Sequence, residues 1–154
     1  AKQHLQKTMS EINQAHPDVR AVISVNKGLV TQASAAIPVV PLYFAILYKV
    51  MKRAGNHENC IQQIARLFTQ KLYTPEGFRT DENGFIRMDD YELLPEIQEE
   101  VKKCWKAVTT DTVNQYCDID GYWEDFYHMF GFHYSDIDYT QDVDANVEIN
   151  GIVM

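Results

Sequence analysis

Residues 19–38 read VRAVISVNKGLVTQASAAIP, and this stretch decides the fold. Its first part, Val19 to Val25, is a short apolar run that ends at the turn-forming residues Asn26, Lys27 and Gly28. Such a run predicts a buried strand of a parallel sheet. Because open α/β sheets bind ligands at the carboxyl ends of their strands, the loop that follows is a candidate binding site. The same pattern also fits an ordinary strand and loop that bind nothing.

Most of the remaining chain predicts helices. Residues 41–53, PLYFAILYKVMKR, are apolar on nearly all faces, which predicts a buried helix. Pro41 suits its first turn and Gly55 its end. No second parallel strand is evident downstream, and residues 85–88 are predicted to form a short strand after a hairpin turn at residues 83–84. The other predicted helices span residues 2–15, 57–72 (with Ile61, Ile64, Leu67 and Phe68 on one face), 95–108, 110–117 and 121–130.

Composition limits the possible partners. The 154 residues suffice for one domain with a sizeable core. A net charge of −8 and a pI near 5.0 argue against the binding of nucleic acid or of an anionic membrane surface. The cysteines Cys60, Cys104 and Cys117 show no CxxC spacing, which predicts reduced thiols rather than disulfides or a zinc site. Reduced thiols favour a cytoplasmic location. No apolar run in the sequence is long enough to span a membrane. We expect the protein to be a monomer.

Two patterns resemble metal sites without meeting their requirements. Residues 81–90 resemble part of a calcium loop, but with Gly84 as the turn glycine the first ligand position falls on Arg79, a cation. His128 and His133 are five residues apart, which is poor spacing for two ligands on one helix face. We therefore expect no metal site.

The chain begins with AKQHLQKTMSEINQ, which has no initiator Met and already follows a helical pattern through Leu5, Met9 and Ile12. No N-cap residue precedes that pattern. We therefore expect that the first half of the domain precedes Ala1 in the natural protein.

Several stretches resemble the trans-2-enoyl-CoA reductases and the related FabV-type enoyl-acyl-carrier-protein reductases. They are, in order, AVISVNKGLVTQASAAIP, PLYFAILYKVMKRAGNHENCIQQI, RLFTQKLY, IRMDDYEL, GYWEDFYHMFGF and IDY. The resemblance implies a Rossmann-like α/β fold of the short-chain dehydrogenase/reductase type, of which this mostly helical chain would be the C-terminal portion. It divides the chain into the end of the Rossmann core with the cofactor loop (1–40), the substrate-side helices (41–132) and a tail (133–154).

The resemblance also implies an activity, the NADH-dependent reduction of the 2,3 double bond of a trans-2-enoyl thioester in fatty acid synthesis. The family's catalytic pair is a Tyr followed, after eight intervening residues, by a Lys, and Lys2 occupies the Lys position. The Tyr and the Gly-rich pyrophosphate loop would lie upstream. Hydride would pass to the β-carbon while the Tyr hydroxyl stabilises the enolate oxygen. Lys2 would lower the pKa of that Tyr and bond the ribose of the cofactor.

Three residues of the opening loop match cofactor contacts of the wider reductase class. There the backbone after the strand contacts the nicotinamide carboxamide, and a Thr hydroxyl reaches the pyrophosphate. The matching residues are Leu29, Val30 and Thr31. Backbone groups can pair with an amide, and a hydroxyl can donate to a phosphate oxygen, so the match has a physical basis.

The resemblance places the acyl pocket near the start of the apolar helix. Its predicted walls are Ile37, Val40, Tyr43 and Phe44, for which core packing in a buried helix is the alternative. A second interpretation of the whole chain is a catalytically silent fragment or a helical binding module, because it contains neither the Tyr nor the glycine loop. The sequence leaves open the carrier (CoA or acyl carrier protein), the acyl length and the choice of NADH over NADPH.

Overall fold

Two short strands are set among seven helices. The computed structural model describes residues 1–75 and 77–144, and its strands are β1 (Ile23–Val25) and β2 (Phe85–Arg87). The helices are α1 (Lys2–Ala15), α2 (Gln32–Ala35), α3 (Val40–Ala54), α4 (Cys60–Arg66) with a π-helix (Leu67–Leu72), α5 (Pro95–Ala107), α6 (Val113–Tyr116) and α7 (Ile119–His128). The architecture is thus α/β and mostly helical, as predicted. Within the described ranges no helix combines the length and apolarity needed to cross a membrane. Residues 145–154 of the predicted tail lie outside the described residues.

β1 and β2 form a two-stranded parallel sheet in which Ile23 pairs with Phe85. The strand predicted at 19–25 is confirmed in shorter form, but it is only partly buried rather than buried, and the prediction that no parallel strand follows it is wrong. The hairpin at residues 83–84 is also wrong: the chain turns there, with Gly84 at φ +79°, yet the strand that follows pairs with β1. Parallel strands need a long connection, so no local pattern marks this pairing.

α3 forms the centre of the hydrophobic core. Pro41 lies in its first turn, and Gly55 ends it in the left-handed conformation (φ +74°), as predicted. The buried side chains of α3 are Phe44, Ala45, Ile46, Leu47, Tyr48, Val50 and Met51. α3 packs against α5 and α7, and Ile97, Val101 and Tyr122 belong to the same core.

The helix predicted at 57–72 is α4 followed by the π-helix, and its buried face differs from the prediction. Three apolar side chains of the predicted face are about half exposed: Ile61, Ile64 and Phe68. Gln63 and Arg66 are buried instead. The Arg66 guanidinium forms ion pairs with Glu58 and Asp90 and lies over the Tyr91 ring. A paired guanidinium can lie inside a protein, and here it turns the apolar side chains outward.

Candidate active site

A cavity of about 420 Å³ lies between the first turns of α1 and the whole length of β1. Lys2 and Gln6 line it from α1, and Ile23, Ser24, Val25 and Asn26 line it from β1 and the start of the following loop. The exposed Lys2 therefore shares a cavity with a parallel strand and with the first residue beyond its carboxyl end, the end at which open α/β sheets bind their ligands.

The loop after β1 is held by side chains from two other parts of the chain. The Gly28 N–H donates to the Glu92 carboxylate (2.6 Å), and the Gly28 carbonyl accepts a bond from the Lys27 ammonium (3.2 Å). The Val30 N–H donates to the hydroxyl oxygen of Tyr48 on α3 (2.9 Å). The loop is therefore fixed to α3 and to the segment after β2, which limits its freedom when a ligand approaches.

Glu92 connects this loop to the first turns of α3. Its second carboxylate oxygen accepts a hydrogen bond from the Tyr43 hydroxyl at 2.7 Å. Burial, together with that bond, raises the pKa of Tyr43 to about 12, so the hydroxyl remains a proton donor at neutral pH. One carboxylate thus holds both the cofactor loop and a predicted wall of the acyl pocket.

Gly28 lies directly against an aromatic ring. A Cβ atom at this position would be 2.6 Å from Phe44 Cε1 and 3.4 Å from a Glu92 oxygen. Gly28 is not one of the glycines with positive φ, so close approach, rather than backbone conformation, favours glycine here. Phe44 is 8% exposed and packs beneath the loop, nearly parallel to the Tyr48 ring.

The three predicted cofactor residues have different surroundings. Val30 is 2% exposed and belongs to the core, so its side chain faces the protein. Thr31 is the N-cap of α2: its hydroxyl accepts the Ser34 N–H (3.0 Å), and the Ser34 hydroxyl accepts the Thr31 N–H (2.7 Å). Leu29 is only partly buried, its carbonyl accepts a bond from the Ser34 hydroxyl, and within residues 1–75 and 77–144 its N–H has no hydrogen-bond partner. The Leu29 N–H is thus one of the loop donors available to a ligand.

Lys27, which the sequence pattern presents only as part of a turn, is buried in the loop after β1. It is 2% exposed, and its ammonium lies 4.7 Å from the centroid of the Tyr48 ring. Burial lowers its pKa to about 8, although three carboxylates oppose the shift: Glu92, Asp125 and Glu58. The neighbouring residues Asn26 and Gly28 do not indicate whether Lys27 is buried or solvated, because the groups that surround its side chain lie far along the chain.

Replacing Lys27 by Met is expected to raise the free energy of unfolding at pH 7 by about 1–2 kcal/mol. Lowering the Lys27 pKa from 10.5 to about 8 corresponds to roughly 3 kcal/mol of unfavourable burial. Met avoids this cost, but the protein then loses the hydrogen bond to the Gly28 carbonyl and the contact with the Tyr48 ring. These losses offset about half of the stabilisation. Urea denaturation measures the difference, and a variant less stable than the wild type at pH 7 contradicts the expectation.

The same substitution has a predicted pH dependence. Between pH 8 and 10.5 the unfolded chain holds the Lys27 proton more tightly than the folded chain, so wild-type stability rises with pH across this window. The advantage of Lys27→Met should therefore shrink between pH 8 and 10. Equal differences at pH 7 and pH 10 would show that Lys27 titrates normally.

A second, wholly apolar cavity of about 210 Å³ lies where α3 meets α6 and α7. Its walls include Leu42 and Ala45 on α3, Val113 on α6, and Tyr122 and Trp123 on α7. This cavity is a candidate for an apolar ligand group, and sequence reasoning missed it because it depends on how three helices pack.

The four predicted acyl-pocket residues lie elsewhere on the same part of the chain. Ile37 is 51% exposed, Val40 packs at the edge of the core, Tyr43 is bonded to Glu92 and Phe44 lies under Gly28. None of the four lines the apolar cavity. Their role as pocket walls stays a prediction.

Two family models match adjacent parts of the chain. The model described as "Trans-2-enoyl-CoA reductase catalytic region" matches residues 1–73. The model described as "Enoyl reductase FAD binding domain" matches residues 80–143. The first contains Lys2 and the loop after β1; the second contains β2, Glu92 and α5–α7.

Curated relatives extend the match to nearly every residue. The chain is 45% identical to the enoyl-[acyl-carrier-protein] reductase [NADH] of Flavobacterium psychrophilum, over 99% of this chain and 39% of that protein. It is 47% identical to the protein of the same name from Coxiella burnetii, over 100% of this chain and 39% of that protein. The chain thus spans about two fifths of the length of these relatives.

Solved structures give the same result in three dimensions. The trans-2-enoyl-CoA reductase of Clostridium acetobutulicum in complex with NAD superposes with a TM-score of 0.83 at 45% identity, covering 94% of this chain and 38% of that chain. The trans-2-enoyl-CoA reductase of Treponema denticola in complex with NAD also has a TM-score of 0.83, at 46% identity, and covers 92% of this chain and 36% of that one. The chain is therefore similar, over nearly all of its residues, to the trans-2-enoyl-CoA reductases and the related enoyl-[acyl-carrier-protein] reductases, and it matches the C-terminal portion of these proteins.

Proposed function

We propose that this chain is part of an NADH-dependent reductase that reduces the 2,3 double bond of trans-2-enoyl thioesters in fatty acid synthesis. The observation that carries the proposal is the position of Lys2, on the wall of a cavity that runs along β1 and reaches Asn26 at the start of the following loop. The relatives' names add support, since they are NADH-dependent enoyl-acyl-carrier-protein reductases and trans-2-enoyl-CoA reductases. The alternative of a silent helical module has no comparable observation in its favour.

The chemistry of the cavity and of the loop after β1 fits a nicotinamide cofactor. Lys2 lines the cavity, and its ammonium can donate to ribose hydroxyls, whereas Leu29, Val30 and Thr31 lie in the loop and do not line the cavity. The free Leu29 N–H suits the carbonyl oxygen of a carboxamide. Val30 would act only through its backbone, because its side chain is buried. Thr31 caps the four-residue α2, so its proposed bond to a phosphate depends on its hydroxyl alone.

Bound NADH would supply a hydride to the β-carbon of the enoyl thioester. As negative charge develops on the thioester oxygen, a donor must stabilise it, and the family's Tyr would supply this donor from outside the residues of this chain. The ammonium of Lys2 stabilises the phenolate form of such a Tyr and so lowers its pKa. Lys2 would thereby act on both the cofactor ribose and the proton donor.

The acyl chain requires an apolar site. The 210 Å³ cavity between α3, α6 and α7 has walls of the right chemistry, and an apolar cavity of about 150 Å³ already holds benzene. Because only the short α2 separates the loop after β1 from α3 in the chain, we propose that a thioester at the loop extends its acyl chain along α3. We retain the four predicted wall residues as candidates: Ile37, Val40, Tyr43 and Phe44.

The finer features of the proposal follow from the resemblance. They are a fold of the short-chain dehydrogenase/reductase type, the division at residues 40 and 132, a monomeric enzyme and a cytoplasmic location. The free thiols of Cys60, Cys104 and Cys117 support a reducing compartment. Sedimentation of the purified protein tests the monomer.

A flavin does not fit the described residues. The segment that matches the FAD-binding model, 80–143, carries 16 acidic and 4 basic side chains, and a pyrophosphate requires donors and positive charge. Its arginine, Arg87, is engaged by Asp81 and Asp89. No step of the proposed reaction is therefore routed through FAD.

The assay is the loss of NADH absorbance after addition of crotonyl-CoA. The whole reductase is expected to oxidise NADH only when the thioester is present, and the isolated chain is expected to be inactive because it contains no Tyr of the catalytic pair. Product analysis should find the saturated thioester in an amount equal to the NADH consumed. NADH oxidation without a saturated product, or none at all, rejects the proposal.

Thr31 and Ser34 allow the cofactor role to be separated from helix capping. Either Thr31→Ala or Ser34→Ala breaks the capping box and is expected to lower stability by about 1 kcal/mol. Only Thr31→Ala should also raise the Kd for NADH, by about tenfold, because only Thr31 would donate to the pyrophosphate. Fluorescence titration with NADH measures this. Equal Kd values for the two variants would assign Thr31 to capping alone.

A further inference from the structure

Lys27 is the buried lysine of the described residues, and its ammonium makes one hydrogen bond, to the Gly28 carbonyl. An ammonium has three donor hydrogens, so most of its hydrogen-bonding capacity is unused within the described part of the chain. The face of the Tyr48 ring is its other close neighbour. A side chain held only for packing would not need a charge here, since an apolar side chain of similar length could fill the space.

The hydrogen bond from the Lys27 ammonium to the Gly28 carbonyl indicates what the charge does in this loop. The Gly28 carbonyl and the Leu29 N–H belong to one planar trans peptide, so they point in opposite directions. Fixing the carbonyl from one side therefore fixes the direction of the N–H on the other. A positive charge at the carbonyl also polarises the peptide and strengthens its N–H as a donor. Within the described residues this N–H has no hydrogen-bond partner, so it is free to bind a ligand.

Charged groups on four other segments act on Lys27. Three are carboxylates, in the segment after β2 (Glu92), in α7 (Asp125) and in the segment before α4 (Glu58), and the fourth is the cationic Arg66 of α4, which opposes them. The phenol of Tyr48 on α3 completes the surroundings. The net effect of burial and these charges is a pKa of about 8, within the range in which enzyme sites commonly operate.

We propose that Lys27 is a positioning residue for the reduction, which orients and polarises the Gly28–Leu29 peptide so that the Leu29 N–H binds the nicotinamide carboxamide. This inference rests on the proposed function. Lys27 acts through the peptide and does not touch the reacting atoms.

The test compares Lys27→Met and Lys27→Arg with the wild type in the whole reductase. Lys27→Met should raise KM and Kd for NADH by about 10- to 100-fold, with KM for the enoyl thioester unchanged, because misplacement of the cofactor costs rate. Lys27→Arg should recover part of the loss. Wild-type NADH affinity should fall as pH rises through 8, and that fall should be absent in Lys27→Arg, whose guanidinium does not titrate there.

Stability separates this role from a structural one. Lys27→Met is expected to be at least as stable as the wild type, so weaker NADH binding could not be ascribed to unfolding. Lys49→Met is the matched control, since Lys49 also donates to backbone carbonyls, those of Asn114 and Cys117, but away from the loop. Unchanged NADH binding in Lys27→Met, or an equal loss in Lys49→Met, overturns the inference.

Amide hydrogen exchange tests the role of Lys27 even if the reductase shows no turnover. The Val30 amide donates to the Tyr48 hydroxyl, and its exchange should accelerate at least tenfold in Lys27→Met, because the loop loses its anchor at the neighbouring peptide. This readout requires neither NADH nor thioester, so an inactive wild type would reject the proposed function while exchange still decides the role of Lys27. Unchanged exchange of the Val30 amide overturns the inference. If Lys27→Met does not fold, the wild-type pH profile decides: NADH affinity constant from pH 6 to 9.5 overturns the inference.

Discussion

Replacing Lys2 by Ala in the proposed whole reductase is expected to lower turnover of an enoyl thioester by about 100-fold or more. Lys2 is exposed on the first turn of α1 and lines the cavity along β1, so its removal takes a positive charge from the site without opening the core. Both of its expected tasks, stabilising a phenolate and binding the ribose, are lost together. Turnover at saturating NADH, followed by absorbance, measures the effect.

The matched control is Lys7→Ala on the same helix. Lys7 is paired with Glu11 at 3.5 Å with both side chains largely exposed, and an exposed pair of this kind contributes little. Lys7→Ala should keep wild-type turnover. If Lys2→Ala retains both turnover and NADH affinity, then Lys2 has no part in the reaction and the site must be sought elsewhere.

Replacing Gly28 by Val lowers the free energy of unfolding by about 3 kcal/mol and weakens NADH binding. The first added carbon alone would lie 2.6 Å from the Phe44 ring, and that ring is confined by the Tyr48 ring stacked behind it. The loop must therefore move away from α3, which breaks the Gly28–Glu92 bond. Urea denaturation and NADH titration measure the two effects.

A compensating substitution tests the cause. Phe44→Leu leaves space beneath Gly28, so the double variant Gly28→Val with Phe44→Leu should be less destabilised than the sum of the two single variants predicts. If the effects of the two substitutions are additive, contact with the Phe44 ring is not the reason that position 28 requires a small residue.

Local patterns in the sequence predicted the elements on which the site is built. The apolar run before Asn26 gave the position of β1 and its loop, and the Pro and Gly at the ends of α3 gave its limits. These features depend on neighbouring residues, which a single sequence displays. The resemblance supplied Lys2 and the loop residues, whose chemistry no periodicity reveals.

Long-range contacts account for what the sequence did not predict. Glu92 and Gly28 are 64 positions apart, and the partner strand of β1 lies beyond four helical segments. Lys27 looks like a turn residue because the groups that bury it belong to α3, α7 and the segment after β2. The apolar face of α4 was misjudged for a related reason, since Arg66 finds its partners in other segments.

The parallel pairing of β1 with β2 also constrains the order of folding. Two strands of three residues each cannot persist alone, and their register is reached only after α2, α3, α4 and the π-helix have been placed between them. Bringing β1 and β2 together closes a long loop of chain. The entropic cost of that closure comes before the contacts between the strands can stabilise the fold. The sheet should therefore form after the transition state, and weakening β2 should accelerate unfolding while leaving the refolding rate nearly unchanged. The end of β1, where the ligand is expected, would then be among the last parts of the chain to acquire its native geometry.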